Sequence, residues 1–143
     1  MKLATHMVEK PWGRHDLPAV FGVDPTLRIG EVWFDAAAAP LPVLVKWLFT
    51  SERLSIQVHP NDQQGHERGL PSGKEECWYV AAAEPGAVLG IGTLRALTSA
   101  ELLVAVQEGS IEQMMDWTPV SPGDCFFIPA GMGHAIGPGV TIG

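Results

Sequence analysis

Three stretches of this chain carry side chains that could hold a metal ion. In Leu54-Ser55-Ile56-Gln57-Val58-His59, apolar and polar residues alternate strictly. Successive side chains of a strand point to opposite faces. The spacing therefore predicts a strand with Ser55, Gln57 and His59 on one side and Leu54, Ile56 and Val58 packed on the core. A polar face is ordinary where it meets water, so this segment alone decides nothing. The same alternation in Lys74-Glu75-Glu76-Cys77-Trp78-Tyr79-Val80 places Lys74, Glu76 and Trp78 together, with Glu75, Cys77 and Tyr79 opposite. A carboxylate leading into such an apolar run is costly to bury unless a cation neutralises it. Either glutamate could be the buried one. The third stretch is Gly123-Asp124-Cys125-Phe126-Phe127-Ile128-Pro129-Ala130-Gly131-Met132-Gly133-His134, where an apolar strand enters a Pro/Gly turn that presents one histidine. A lone histidine after a turn usually sits on the surface. Here proline and glycine fix the backbone direction around it, which a surface histidine would not require.

Gln57, His59, His134 and one of the two glutamates offer two imidazoles, an amide oxygen and a carboxylate. That donor mixture suits Zn²⁺ and equally admits Mn²⁺, Fe²⁺ or Co²⁺. Two positions apart and so in phase, Gln57 and His59 leave one strand from the same side. His6, His15 and His66 stand in polar or terminal contexts and read as surface residues.

The elements that must position these groups are mostly short strands. The 143 residues suit one domain with room for a core, and 46% apolar against 17% charged residues indicates a globular chain. Sixteen Gly and twelve Pro, spread along the sequence, suit many strands and turns better than long helices. Residues 8–22 read as an extended arm or edge segment. Strands are expected at 28–34, 43–49, 54–59, 75–82, 87–92 and 124–129, with another starting at 140, and 35–42 is an Ala/Pro-rich connection. One helical turn is expected around 62–67. Thr98-Ser99-Ala100-Glu101 is a capping-box pattern opening a helix that stops at Gly109, and 110–116 makes a second short helix.

The formal charge of −7 and the lack of any Lys/Arg run argue against a nucleic-acid partner. No apolar run is long enough to span a bilayer, and the first residues lack the apolar core of a signal peptide. Cys77 and Cys125 lie in apolar stretches and are expected to be buried free thiols, with a disulfide as the alternative reading. With these features the expected location is the cytoplasm.

At this point the segments resemble a known family. Gly123-x5-Pro129-x-Gly131-x2-His134 matches the second cupin motif up to its histidine, although Pro138 stands where the general motif ends in Asn. Gln57-Val58-His59 replaces the His-x-His of the first motif, and an iron-dependent cupin dioxygenase would want histidine at Gln57. That departure is similar to the type I phosphomannose isomerases, whose pattern includes Lys-Pro-Trp-Gly (10–13), Ile-Gly-Glu-x-Trp (29–33), Leu-Ser-Ile-Gln-Val-His-Pro (54–60) and Gly-Lys-x-Glu-Cys-Trp-Tyr (73–79). The resemblance implies a mainly β fold: a cupin-type antiparallel β-barrel (jelly roll) with a short helical hairpin, forming a single domain over 1–143. It implies Gln57, His59, Glu76 and His134 as zinc ligands, which selects Glu76 over Glu75. It places Ser55 and Lys74 near a sugar phosphate, with Lys74 also catalytic, and gives Trp12 a structural role.

The implied activity is a metal-dependent isomerisation between mannose 6-phosphate and fructose 6-phosphate through an enediol(ate). The alternative is a non-catalytic metal-binding cupin module that binds a sugar or a partner domain. The segment from 29 to 43 is shorter than in larger members. The family pattern also continues beyond Gly143 with an acidic strand and an arginine-bearing segment. A barrel without those strands would expose a sheet edge through which the chain could self-associate.

Overall fold

Nine strands and three short α-helices, with a 3-10 turn at Ala19–Phe21, make up the computed structural model, which describes residues 2–36 and 41–143. In chain order these are β1 (Ala4–Arg14), β2 (Ile29–Asp35), β3 (Val45–Phe49), α1 (Asp62–Glu67), β4 (Glu76–Ala83), β5 (Val88–Thr93), α2 (Ser99–Glu108), α3 (Ile111–Met114), β6 (Met115–Pro119), β7 (Cys125–Ile128), β8 (His134–Ile136) and β9 (Val140–Ile142). The architecture is mainly β, as expected. The expected 35–42 connection lies in part outside the described residues.

A six-stranded sheet runs β1-β2-β3-β9-β4-β7 and a three-stranded sheet runs β6-β5-β8, with antiparallel pairing throughout. Alternation along the strands decides what lies between them. Leu48, Trp78, Val80, Val140 and Ile142 from the larger sheet meet Leu89 and Ile136 from the smaller one in a single apolar cluster. Each such aliphatic side chain contributes about 1.5–3 kcal/mol through removal from water. A second cluster of Ile29, Val32 and Phe49 covers the other side of β2 and β3, packed by Met7, Leu17 and Phe21. The middle of β2 is therefore covered on both faces, and Glu31 is left only 7% exposed.

Local signals set the helices. Thr98 accepts from the Glu101 backbone N–H while the Glu101 carboxylate accepts from the Thr98 N–H, and Gly109 ends α2 in the left-handed region at φ 74°. The Thr98 backbone N–H, then Arg95 and the Thr98 hydroxyl, hold the Glu101 carboxyl down at about 2. With α3, this forms the expected helical hairpin.

Two expectations need correction. The segment 54–59 is extended but is not a regular strand. It touches β8 through Leu54 N–H to Ile136 O and through the Gln57–His134 bridge. Three residues on one side thus span two on the other, and this bulge-like mismatch resets the alternation. Leu54 packs against the core, whereas Val58 is 57% exposed. Cys77 and Cys125 are free but exposed, because Glu76, Trp78 and Val80 take the inward face of β4 and Phe126 and Ile128 that of β7.

Candidate metal centre

The turn between β7 and β8 brings the two histidines together. Gly131 at φ 82° occupies a conformation that a side chain would disfavour, and its N–H donates to the His59 carbonyl at 2.8 Å. Three residues on, His134 and Gln57 exchange both backbone hydrogen bonds, each 2.8 Å. Residues paired in this way project their side chains to the same face. Both line one open cavity of about 160 Å³, into which Ser55, Lys74 and Glu76 also face.

Ligand atoms of His59, Glu76 and His134 lie within 4.8 Å of one another. Glu76 is the hub. Its Oε1 is 3.6 Å from His59 Nε2 and its Oε2 is 3.5 Å from His134 Nε2. The indole N–H of Trp78 donates to Oε2 at 3.1 Å, and the Trp78 ring meets His134 edge-on, with centroids 5.4 Å apart. His134 Nδ1 lies 2.9 Å from the Met132 carbonyl. A carbonyl can only accept, so Nδ1 carries a proton and Nε2 is the nitrogen directed at Glu76.

Lys74 supplies the positive charge in this arrangement. Its ammonium is 2.6 Å from Glu76 Oε1 and 3.3 Å from His59 Nε2. Burial pushes the Glu76 carboxyl upward, but the hydrogen bond and charge of Lys74 outweigh it, and the group lies below its ordinary value. Burial, followed by the charge of Lys74, also holds the His59 imidazole below its ordinary value. Both shifts favour the states a cation needs, an ionised carboxylate and a neutral imidazole. The donor set therefore fits a divalent metal: two imidazole nitrogens, a carboxylate, and the Gln57 amide on the same wall.

Ser55, Gln57, Lys74, Glu76 and His134 thus border this cavity, and His59 joins them through its ligand atom beside Glu76 and His134, while Glu75 is exposed. His6, His15 and His66 are on the surface, as expected. Three charged residues of the cavity, Lys10, Glu31 and Lys46, had no predicted role. Glu31 lies between Lys10 and Lys46, at 3.8 and 3.5 Å, and accepts from the Trp33 indole. A signal for Glu31 existed: Glu31-x-Trp33 repeats the Glu76-x-Trp78 pattern, with a carboxylate two residues before an indole that shares its face. Gly30 lets Lys10 reach this place, since a Cβ there would come within 2.6 Å of the Lys10 side chain.

No protein-family model matches the chain. Searches against known proteins do find relatives. The chain is 36% identical over 112 residues to the mannose-6-phosphate isomerase of Streptococcus mutans, covering 78% of this chain and 35% of that protein. Identity to the mannose-6-phosphate isomerase ManA of Bacillus subtilis is 40% over 101 residues, covering 69% of this chain and 31% of that protein. Among solved structures, the mannose 6-phosphate isomerase of Bacillus subtilis superposes with a TM-score of 0.86 at 26% identity, over 99% of this chain and 56% of the other. This chain is a relative of the mannose-6-phosphate isomerases. It shares their cupin-like fold, and it spans about a third of the length of the isomerases it matches by sequence. A zinc-bound mannose 6-phosphate isomerase shares the fold at a TM-score of 0.64 and 14% identity, over 99% of this chain and 66% of the other. The grouping of His59, Glu76 and His134 in this chain is itself suited to a metal ion.

Proposed function

We propose that residues 1–143 form the metal-binding cupin domain of an enzyme that interconverts mannose 6-phosphate and fructose 6-phosphate. One observation carries this reading: nitrogens of His59 and His134 and an oxygen of Glu76, from three separate segments, lie within 4.8 Å of one another beside a lysine. Gln57, bound to His134 through the backbone, would complete the ligand set, and zinc suits it best. When bound, such an ion supplies Lewis acidity toward the oxygen that gains negative charge during aldose–ketose exchange.

The chain's own residues would bind and orient the sugar phosphate. Lys10, Lys46 and Lys74 concentrate positive charge around the cavity of an acidic chain, which favours a phosphorylated ligand there. Ser55 offers a hydroxyl on the same wall. Lys74, beside Glu76 and His59, can hold a proton near the reacting oxygens. The cavity of about 160 Å³ equals roughly five waters of liquid volume. It accepts the reacting end of the sugar, while the rest extends through the open mouth.

The test pairs metal analysis with turnover. Purified protein loaded with Zn²⁺ should hold one equivalent and turn over mannose 6-phosphate, and Gln57→Ala and His134→Ala should each lose metal and activity. Retention of full metal by both variants would overturn the ligand assignment. Metal at full stoichiometry without turnover would overturn the isomerase reading in favour of a non-catalytic metal-binding module.

A further inference from the structure

We propose that Cys77 and Cys125 form a redox-modification site, a surface dithiol that two-electron oxidants close into a reversible disulfide between β4 and β7. Their sulfurs lie 3.9 Å apart, and both residues are free and exposed. The strand register explains the approach. Cys77 pairs with Phe127 and Cys125 with Tyr79, so the two cysteines are diagonal neighbours on the outward face. The right-handed twist of antiparallel strands shortens one diagonal, and flexible side chains can meet across it. Tyr79 and Phe127, which flank the pair, are 48% and 61% exposed and leave it open to small oxidants in solution.

Closing a bond of about 2.05 Å from this separation requires the strands to shift. β7, four residues long at the edge of its sheet and with β4 as its one strand partner among the described residues, would take up that shift. The diagonal spacing, roughly 7–8 Å, lies at or beyond the reach of a relaxed disulfide. The closed form is therefore strained, and strained, exposed disulfides are the readily reduced kind.

With hydrogen peroxide, two S–H bonds break, the S–S bond forms, and the peroxide is reduced to two waters. With glutathione disulfide, one cysteine thiolate attacks and releases a first glutathione. The second cysteine then resolves the mixed disulfide and releases another.

The experiment treats the reduced chain with glutathione disulfide, quenches with iodoacetamide under denaturing conditions, and weighs the intact protein. The expected product is a monomer lighter by two hydrogens, with both alkylation sites lost together and both restored by dithiothreitol. Cys77→Ser and Cys125→Ser should each stop at a stable glutathione adduct on the remaining cysteine, with circular dichroism confirming that they fold. A wild-type chain that keeps a glutathione adduct beside a free thiol would overturn the proposal. So would two unreacted thiols, or disulfides formed only between copies.

Discussion

Glu76 and His59 tie the candidate site to proton concentration. Both groups lie below their ordinary values in the folded chain, so across the affected range the unfolded chain binds more protons, and stability must rise with pH. The contribution of His59 is in place above the ordinary imidazole value of 6.5 and is lost as pH falls from there through its lower folded value. That of Glu76 follows below the ordinary 4.5. In metal-free protein, the melting temperature should fall as pH drops from about 7 to about 5, and His59→Gln should flatten that decline. An unchanged slope in the variant would show that His59 does not carry the effect. At this scale the sequence was most informative where a charge interrupts an apolar run. Glu76 stands out that way, and so, on the same grounds, does Glu31. Only the family pattern separated Glu76 from Glu75. The face Lys10 and Lys46 turn toward Glu31 depends on pairing among three strands, which no local spacing reveals.

Thr50 shows how elements rather than single ligands hold the cavity wall. It is fully buried at the end of β3. Its hydroxyl donates to the Gly137 carbonyl at 2.8 Å and accepts from the Val140 N–H at 3.0 Å, which fixes the turn between β8 and β9. Thr50→Val keeps the shape but orphans a buried donor and acceptor, and it should cost about 1–3 kcal/mol in urea unfolding. A loss below about 0.5 kcal/mol would mean that water or backbone movement replaces the hydroxyl. Elements fixed by adjacent residues were legible beforehand: the capping box of α2, the glycine that ends it, and the alternation in β4. Where pairing between distant segments sets the geometry, the reading failed. The two-point contact of 54–59 with β8 is a tertiary fact, and it sent Val58 outward against the local pattern. Cys77 and Cys125 were misplaced for a different reason. Their apolar neighbours suggested burial, whereas the period of two assigns them to the outer face once Trp78 and Ile128 are inside.

For the molecule as a whole, β9 matters out of proportion to its three residues. It lies between β3 and β4, and Val140 and Ile142 have no exposed surface. Ile142 pairs with Leu48 on one side and Val80 on the other, joining the strand that carries Lys46 to the one that begins at Glu76. Ile142→Ala should therefore cost about 2–5 kcal/mol and lower metal affinity together with stability, as measured by denaturant melts with and without zinc. A stability loss without any change in metal affinity would show that the two halves hold the site independently. The same placement constrains how the protein can be made. Ribosomes deliver residues in order, and β1 to β3 emerge long before the strand that must slot in beside them. Until residues 140–142 leave the exit tunnel, a nascent chain holds two half-sheets with unsatisfied facing edges, the kind of surface that chaperones bind. Closure of the six-stranded sheet therefore waits on residues 140–142.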